Sequence, residues 1–354
     1  MNTQIIPANE ESIIEAARLL NEGRLVGLPT ETVYGLGASI EIESAIQSVF
    51  KVKERPSYDP LIVHIPWESN QDLESLKQWV NLDGFSKKRK QQIYSLTSVF
   101  WPGPLTLVLP KNETISDSIT SGLPTIALRS PSHPDFQKLL KKVPKGVAAP
   151  SANRFGKISP TRASHVLQEL DGKIQMILDG GPCDIGIEST ILLVTENELK
   201  ILRKGEILPH QIEEQVNETL LIDTTSTSKP QAPGQLEQHY APEKPFYLLP
   251  ESLSNMSSSQ KTKIKDLISD SVDQVGILTF EENPHLVESE LSHLIERMIT
   301  SYSLTENTST QELYLGFRTL DDSEVDLILC EPCPSYFRNT ESIMDRIQRA
   351  TQKI

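Results

Sequence analysis

The sequence predicts an α/β protein in two parts: a larger α/β domain and a smaller, Rossmann-like α/β domain after it. Three observations carry this. Segments with helical and with strand periodicity interleave along the chain. A polar, proline-studded stretch interrupts them at residues 213–244. Charge divides near the same place: residues 1–210 hold 23 Lys and Arg against 24 Asp and Glu, whereas 211–354 hold 11 against 24. A chain of 354 residues suits two domains better than one. The expected organisation is a domain over 1–212, a linker over 213–244 and a second domain over 245–354.

In order, residues 11–24 place Ile13, Ile14, Ala17 and Leu20 at helical spacing, ending near Gly23. Leu25–Leu28 reads as a strand and Glu43–Lys53 as a helix stopped before Pro56. Leu61–Ile65, Leu105–Leu109, Thr125–Leu128 and Gly146–Ala149 follow as strands, and Thr161–Leu170 as a helix with a Thr or Ser cap. Met176–Leu178, Ser189–Val194 and Leu199–Arg203 complete the first part as strands. Beyond the linker, Phe246–Leu249, Val275–Phe280 and Val325–Cys330 read as strands. Lys261–Ile268, Val287–Thr300 and Glu341–Gln352 read as helices. The order of strands within a sheet is not readable from these periods.

Composition removes several classes. The apolar runs are strand-sized, so no membrane partner is expected. The first ten residues lack a basic start and an apolar core, which argues against a signal peptide. Three cysteines cannot build a disulfide framework, so a cytoplasmic setting is expected. Gly35 and Gly37 begin a G-x-G whose third glycine is replaced by Ile40, and no phosphate-loop lysine motif occurs. Cys330 and Cys333 form a lone C-x-x-C, two ligands short of a structural zinc site. No tightly held metal is expected.

Four segments carry chemistry. In LPTETVYGLG (28–37), Thr30 and Thr32 offer hydroxyls among glycines that admit a ligand to the backbone; a plain turn reads the same way. Lys51, Lys53 and Arg55, with Asp59 and His64 beyond, project one way if extended and could take a triphosphate; equally they could be a solvated helix end. Ala149-Pro-Ser151-Ala-Asn153, with Ser159 and Thr161, suits ribose or phosphate, or a turn. Gly186-Ile-Glu-Ser189-Thr190, with Arg203 closing a later strand, offers an anion contact or a surface arginine. The run Lys87–Lys90 and Lys141, Lys142 and Lys145 read as solvated surface or as a shallow RNA footprint.

Together these segments resemble the YrdC-like threonylcarbamoyl-AMP synthases in their longer form. The matching blocks are LPTETVYGLG, KVKERP with PLIVHI, WPGPLTLVL, TIALRSPSHP, APSANRFGKISPT, DGG with GIESTI, and ILRKGEI, in order over residues 25–207. PG…HYAP (233–242) extends the match. The resemblance implies a twisted mixed sheet around a positively lined cavity, and condensation of L-threonine, bicarbonate and ATP to threonylcarbamoyl-AMP and pyrophosphate. Mg²⁺ would accompany ATP. The product would serve modification of the tRNA adenosine next to the anticodon, which brings in tRNA and a downstream transferase complex as partners. The signature cluster falls on Lys53, Arg55, Ser151 and Asn153, with Lys53 and Arg55 catalytic. Threonine contacts map to Thr32, His64, Arg129, Ala149 and Ser189. ATP contacts map to Arg55, Asp59, Thr125, Ser151, Asn153, Ser159, Arg203 and, from the linker, Tyr240.

Two positions depart from the family pattern. Gln235-Leu-Glu-Gln238 stands where basic residues are usual, and Asp59 where an amide is common. Two other readings compete. A non-catalytic RNA-binding module would want a stronger positive balance than the first part has. Carbamoyl transfer in protein maturation would want repeated C-x-x-C pairs.

Overall fold

The computed structural model describes residues 2–68, 71–225, 227, 230–235, 240–268 and 271–354. The chain forms two compact units: Met1–Phe155 with Ser159–Glu237, and Gly156–Ile158 with Gln238–Ile354.

The first unit runs β1 (Gln4–Pro7), α1 (Glu10–Asn21), β2 (Val26–Leu28), β3 (Gly35–Ser39), α2 (Glu43–Lys53), β4 (Ile62–His64), α3 (Lys87–Phe100), β5 (Leu105–Pro110) and α4 (Asp117–Thr120). It continues with β6 (Thr125–Arg129), α5 (Pro134–Leu140), β7 (Val147–Ala148), α6 (Ala163–Leu170), β8 (Met176–Asp179), β9 (Thr190–Val194), β10 (Leu199–Arg203), α7 (Pro209–Val216) and β11 (Leu221–Ile222). The strands form one sheet in the order β1-β8-β2-β3-β7-β4-β6-β5-β9-β10-β11. Parallel and antiparallel pairings both occur within it, so the sheet is mixed.

Local sequence explains the main elements. Asn9 and Ser12 cap α1 reciprocally, and its buried stripe is Ile13, Ala16, Ala17 and Leu20. Ile14, expected inside, is exposed because it lies a full residue step off that stripe. The glycine segment 35–37 forms a strand, antiparallel to β2, rather than a turn. A Cβ on Gly37 would meet Leu28 Cδ1 at 2.4 Å, so close packing against β2 selects glycine there. Helix α6 begins at Ala163 after Arg162, which makes no side-chain cap, so the expected Thr or Ser cap is not formed.

The basic run 87–90 opens α3. Arg89 turns inward to Glu218 at 3.0 Å, where Lys88 joins it. Lys141, Lys142 and Lys145 pair with Glu68, Glu10 and Glu41. Arg89 thus departs from the surface reading, being buried, while the lysines stand at the surface. Residues 213–222, expected to open the linker, complete α7 and then β11, which pairs with β10.

The second unit runs β12 (Phe246–Leu248), α8 (Ser258–Leu267), β13 (Gln274–Thr279), α9 (Pro284–Ile295), β14 (Met298–Ser303), α10 (Ser309–Asp321), β15 (Leu327–Cys330), α11 (Thr340–Ala350) and β16 (Gln352–Lys353). Its sheet has the order β14-β13-β15-β12-β16, with every pairing parallel. The helix expected through Thr300 ends at Ile295, because Glu296 adopts a left-handed φ of 55°. The chain then re-enters the sheet as β14. Cys330 and Cys333 close β15 as buried free thiols; burial raises both, Cys333 to about 12. Among the described residues, no helix is long and apolar enough to cross a membrane.

Candidate active site

The period of two along the central strands of the first unit builds the site. On one face, Val63, Leu128, Leu107 and Leu192 enter the main apolar core. On the other stand His64, Arg129, Thr106 and Ser189, the last just before β9. Register aligns them: His64 lies opposite Arg129, and Arg129 opposite Thr106. Thr106 in turn bonds Ser189 through their hydroxyls at 2.7 Å.

Arg129 is the hub. Its Nε donates to the Gly103 carbonyl at 3.2 Å and its Nη1 to Thr32 Oγ1 at 2.8 Å. Its Nη2 sits 2.6 Å from Glu31 Oε1, and both side chains are about 95 % buried, with relative exposures of 4 % and 5 %. Thr30 holds the turn that presents Thr32, accepting from the Thr32 and Val33 amides. Arg203 extends the cluster: its Nε donates to the Ser189 carbonyl at 3.0 Å and its Nη2 to Ser189 Oγ at 3.1 Å. Its Nη1 reaches the Pro233 carbonyl at 3.3 Å, and Ala232 packs on the same sheet face among Ile62, Val108, Ala127 and Ile191. Gln235 is buried and its side chain accepts from the Gln231 and Ala232 amides. Leu236, Glu237, Gln238 and His239, which complete the divergent stretch and begin HYAP, lie outside the described residues.

The backbone of Ser189 is itself held from behind. Gly205 passes so close that a Cβ there would lie 2.3 Å from the Thr190 nitrogen and 2.6 Å from the Glu188 oxygen.

A second cluster surrounds Lys53. Lys51, Lys53 and Arg55 do not project one way: α2 runs through Lys53, and Glu54 takes a left-handed φ of 57° before Arg55. Lys51 stays exposed while Lys53 and Arg55 are buried. Lys53 Nζ donates to the carbonyls of Ser151 and Asn153, clamping the loop after β7. Burial, with Arg55 beside it, pushes the Lys53 ammonium well below the usual lysine range. Arg55 bonds the Asp59 and Pro60 carbonyls and pairs with Asp59 Oδ2 at 2.9 Å. Burial raises Asp59, while the charges of Arg55, Lys53 and Arg203 pull it down. Lys53 reaches the sheet of the first cluster through Ser151, which bridges to Gly35.

The other expected residues stand nearby or apart. Ser151 bridges to Gly35, and the Ala149 amide donates to the Ile62 carbonyl at the edge of β4. Ser159 donates to Glu188 Oε1 at 2.6 Å. Thr125 opens β6 in the same strand phase as Ala127 and Arg129. His64 is wholly buried against Phe136; burial, aided by the charge of Arg129, drops its imidazole to about 3. Tyr240 belongs to the second unit, where its ring lies 5.4 Å from Tyr314 and 5.8 Å from the Arg346 guanidinium. Glu31, Thr106 and Glu188 complete the clusters but were not singled out from sequence. Glu31, flanked by two chosen threonines, and Glu188, next to Ser189, lay where a carboxylate beside hydroxyls could have drawn notice. Among the described residues, no group of three or more His, Cys, Asp or Glu is placed to hold a metal ion.

Buried arginines among hydroxyls on one face of a mixed sheet, with a buried lysine and arginine at the end of α2, mark an α/β domain suited to anionic ligands. Comparison with known proteins narrows this. Residues 18–205 match the family described as Telomere recombination, and 202–352 match Threonylcarbamoyl-AMP synthase, C-terminal domain. The chain is 36 % identical to the threonylcarbamoyl-AMP synthase of Bacillus subtilis over 355 residues, covering 98 % of this chain and 95 % of that one. It is 34 % identical to the synthase of Pyrococcus abyssi, covering 95 % and 93 %. The crystal structure of P. abyssi Sua5 complexed with L-threonine superposes with a TM-score of 0.82 at 32 % identity, over the whole of both chains. The chain belongs to the threonylcarbamoyl-AMP synthase family, in the form with an additional C-terminal domain.

Proposed function

We propose that the chain is an adenylyltransferase that condenses L-threonine, bicarbonate and ATP into threonylcarbamoyl-AMP and pyrophosphate. The product is the activated intermediate for threonylcarbamoyl modification of the tRNA adenosine next to the anticodon. The supporting observation is two sets of contacts, Thr32–Arg129 and Thr106–Ser189–Arg203, brought together where Arg129 lies opposite Thr106 in the sheet, with Lys53 joined to the same sheet through Ser151. One region thus holds cations enough for a carboxylate and a polyphosphate together.

The chemistry needs no side-chain nucleophile. The threonine amine joins bicarbonate, losing water, to give a carbamate. A carbamate oxygen attacks the α-phosphorus as the bond to pyrophosphate breaks. Positioning and charge stabilisation then carry the rate. Arg129 takes the threonine carboxylate, with Thr32 and Ser189 fixing polar groups. Neutral His64 walls that end of the pocket, beside Ala149. Arg55 and Arg203 face the phosphates, with Ser151, Asn153, Ser159 and Thr125 around the nucleotide. Lys53 acts in two ways: two of its three donors hold the 151–153 loop, and its charge adds to the phosphate field.

Mg²⁺ enters as part of the ATP substrate. The ion would be held chiefly by phosphate oxygens and water. The adenylate would pass to a transferase acting on tRNA.

The test is pyrophosphate release that requires threonine, bicarbonate and ATP together. Release without threonine, or none above background, would refute the reading. Lys53→Ala and Arg55→Ala should each cut turnover by roughly 100-fold or more.

A further inference from the structure

The Glu31–Arg129 pair is not closed on itself. Nη2 and Oε1 are 2.6 Å apart, yet neither Glu31 oxygen nor Nη2 has an aligned hydrogen-bond partner. Buried polar atoms are almost always satisfied, so three such atoms together call for an explanation. Packing alone does not supply one, because an unsatisfied buried carboxylate is costly. Glu31 is also fixed from behind: its carbonyl accepts from the Ile185 amide at 2.8 Å, and Thr30 and Thr32 bond each other across it.

The unsatisfied set has the polarity of a free amino acid turned inside out. An unused N–H of Arg129 wants an anion, and the oxygens of Glu31 want a donor that carries positive charge. We infer that Glu31 is a specificity-determining residue of the amino-acid pocket. It receives the α-ammonium of the substrate while Arg129 receives its carboxylate. This rests on the threonine-pocket reading above. The pair would then be a split receptor for a zwitterion, with each charge kept neutralised when the pocket is empty of substrate. A substrate with a hydroxyl in place of the amine would leave Glu31 without its counter-charge, and sites built around a buried donor–acceptor match reject such analogues strongly.

The test is calorimetric binding of L-threonine and of 2,3-dihydroxybutanoate, its α-hydroxy counterpart. Wild-type protein should prefer threonine by roughly 100-fold or more. In Glu31→Gln that preference should fall below about 10-fold, through weaker threonine binding, with affinity for the hydroxy acid within about 3-fold of wild type. If Glu31 serves only as counter-charge to Arg129, both ligands should weaken together, and the inference is overturned. It is overturned equally if neither changes. Should the variant fail to fold, the wild-type ratio alone decides: comparable affinities for the two ligands defeat the proposal. Failure of wild-type protein to bind threonine at all is a separate result, and would strike the parent reading instead.

Discussion

The two faces of strands β4, β6, β5 and β9 share one backbone and have opposite characters. One carries Val63, Leu128, Leu107 and Leu192 into the core, and the other presents His64, Arg129, Thr106 and Ser189. Alternation alone separates them. The difference shows how a single sheet can put stability and chemistry on independent side chains. The apolar face should be measurable as folding free energy, and the polar face as substrate affinity.

The largest effect should come from the hub of the polar face. Arg129→Ala should weaken threonine binding by more than about 1,000-fold. It should also lower stability by roughly 3–5 kcal/mol, since Glu31 would be left buried and unpaired. The double variant Arg129→Met with Glu31→Gln should regain most of that stability in denaturant titration but none of the binding. Recovery of binding would break the division between faces. Next, Leu107→Ala on the apolar face should cost about 2–5 kcal/mol while leaving the threonine KM within about 3-fold. A large KM change there would show the faces to be coupled. Ser189→Ala, which removes the hydroxyl between Thr106 and Arg203, should raise the threonine KM by about 10-fold with little loss of stability.

A separate effect is in pH. The native imidazole of His64 titrates at about 3, below its ordinary 6.5, so the unfolded chain takes up the proton first on acidification. Its stabilising contribution is complete above pH 6.5 and is lost as pH falls toward 3, by roughly 1 kcal/mol per pH unit. His64→Phe should flatten that part of the stability profile, read by denaturant midpoints across the range. An unchanged slope would mean that His64 exchanges protons with solvent.

Much of this was legible before the structure. Interleaved periods gave the α/β class, and the strands β4, β5, β6, β9 and β10 fell where alternating apolar residues put them. What escaped reading was set by partners far away in sequence. Lys53 meets Ser151 across 98 residues, and Arg129 meets Thr32 across 97, distances at which no spacing rule operates. The orientation of Lys51, Lys53 and Arg55 turned on α2 running through Lys53 and on the left-handed Glu54 that ends it, which no local pattern demanded. Strand β3 hid in glycines because its conformation is imposed by the neighbours Leu28 and Val147. Glu31 was passed over because an acidic residue in a turn is ordinarily just solvated, and only its burial against Arg129 makes it otherwise.

Gly205 carries a consequence of its own. The main chain there lies against the peptide units of residues 188–190 with less than one carbon atom of clearance. A peptide cannot swing aside as a flexible side chain can, so a methyl group at this position would act as a wedge driven under Ser189. The hydroxyl of Ser189 would then be levered away from Thr106 and Arg203 without any atom of the pocket itself having been altered. Gly205 therefore fixes the level of the Ser189 backbone from behind, as a shim sets the height of a bearing.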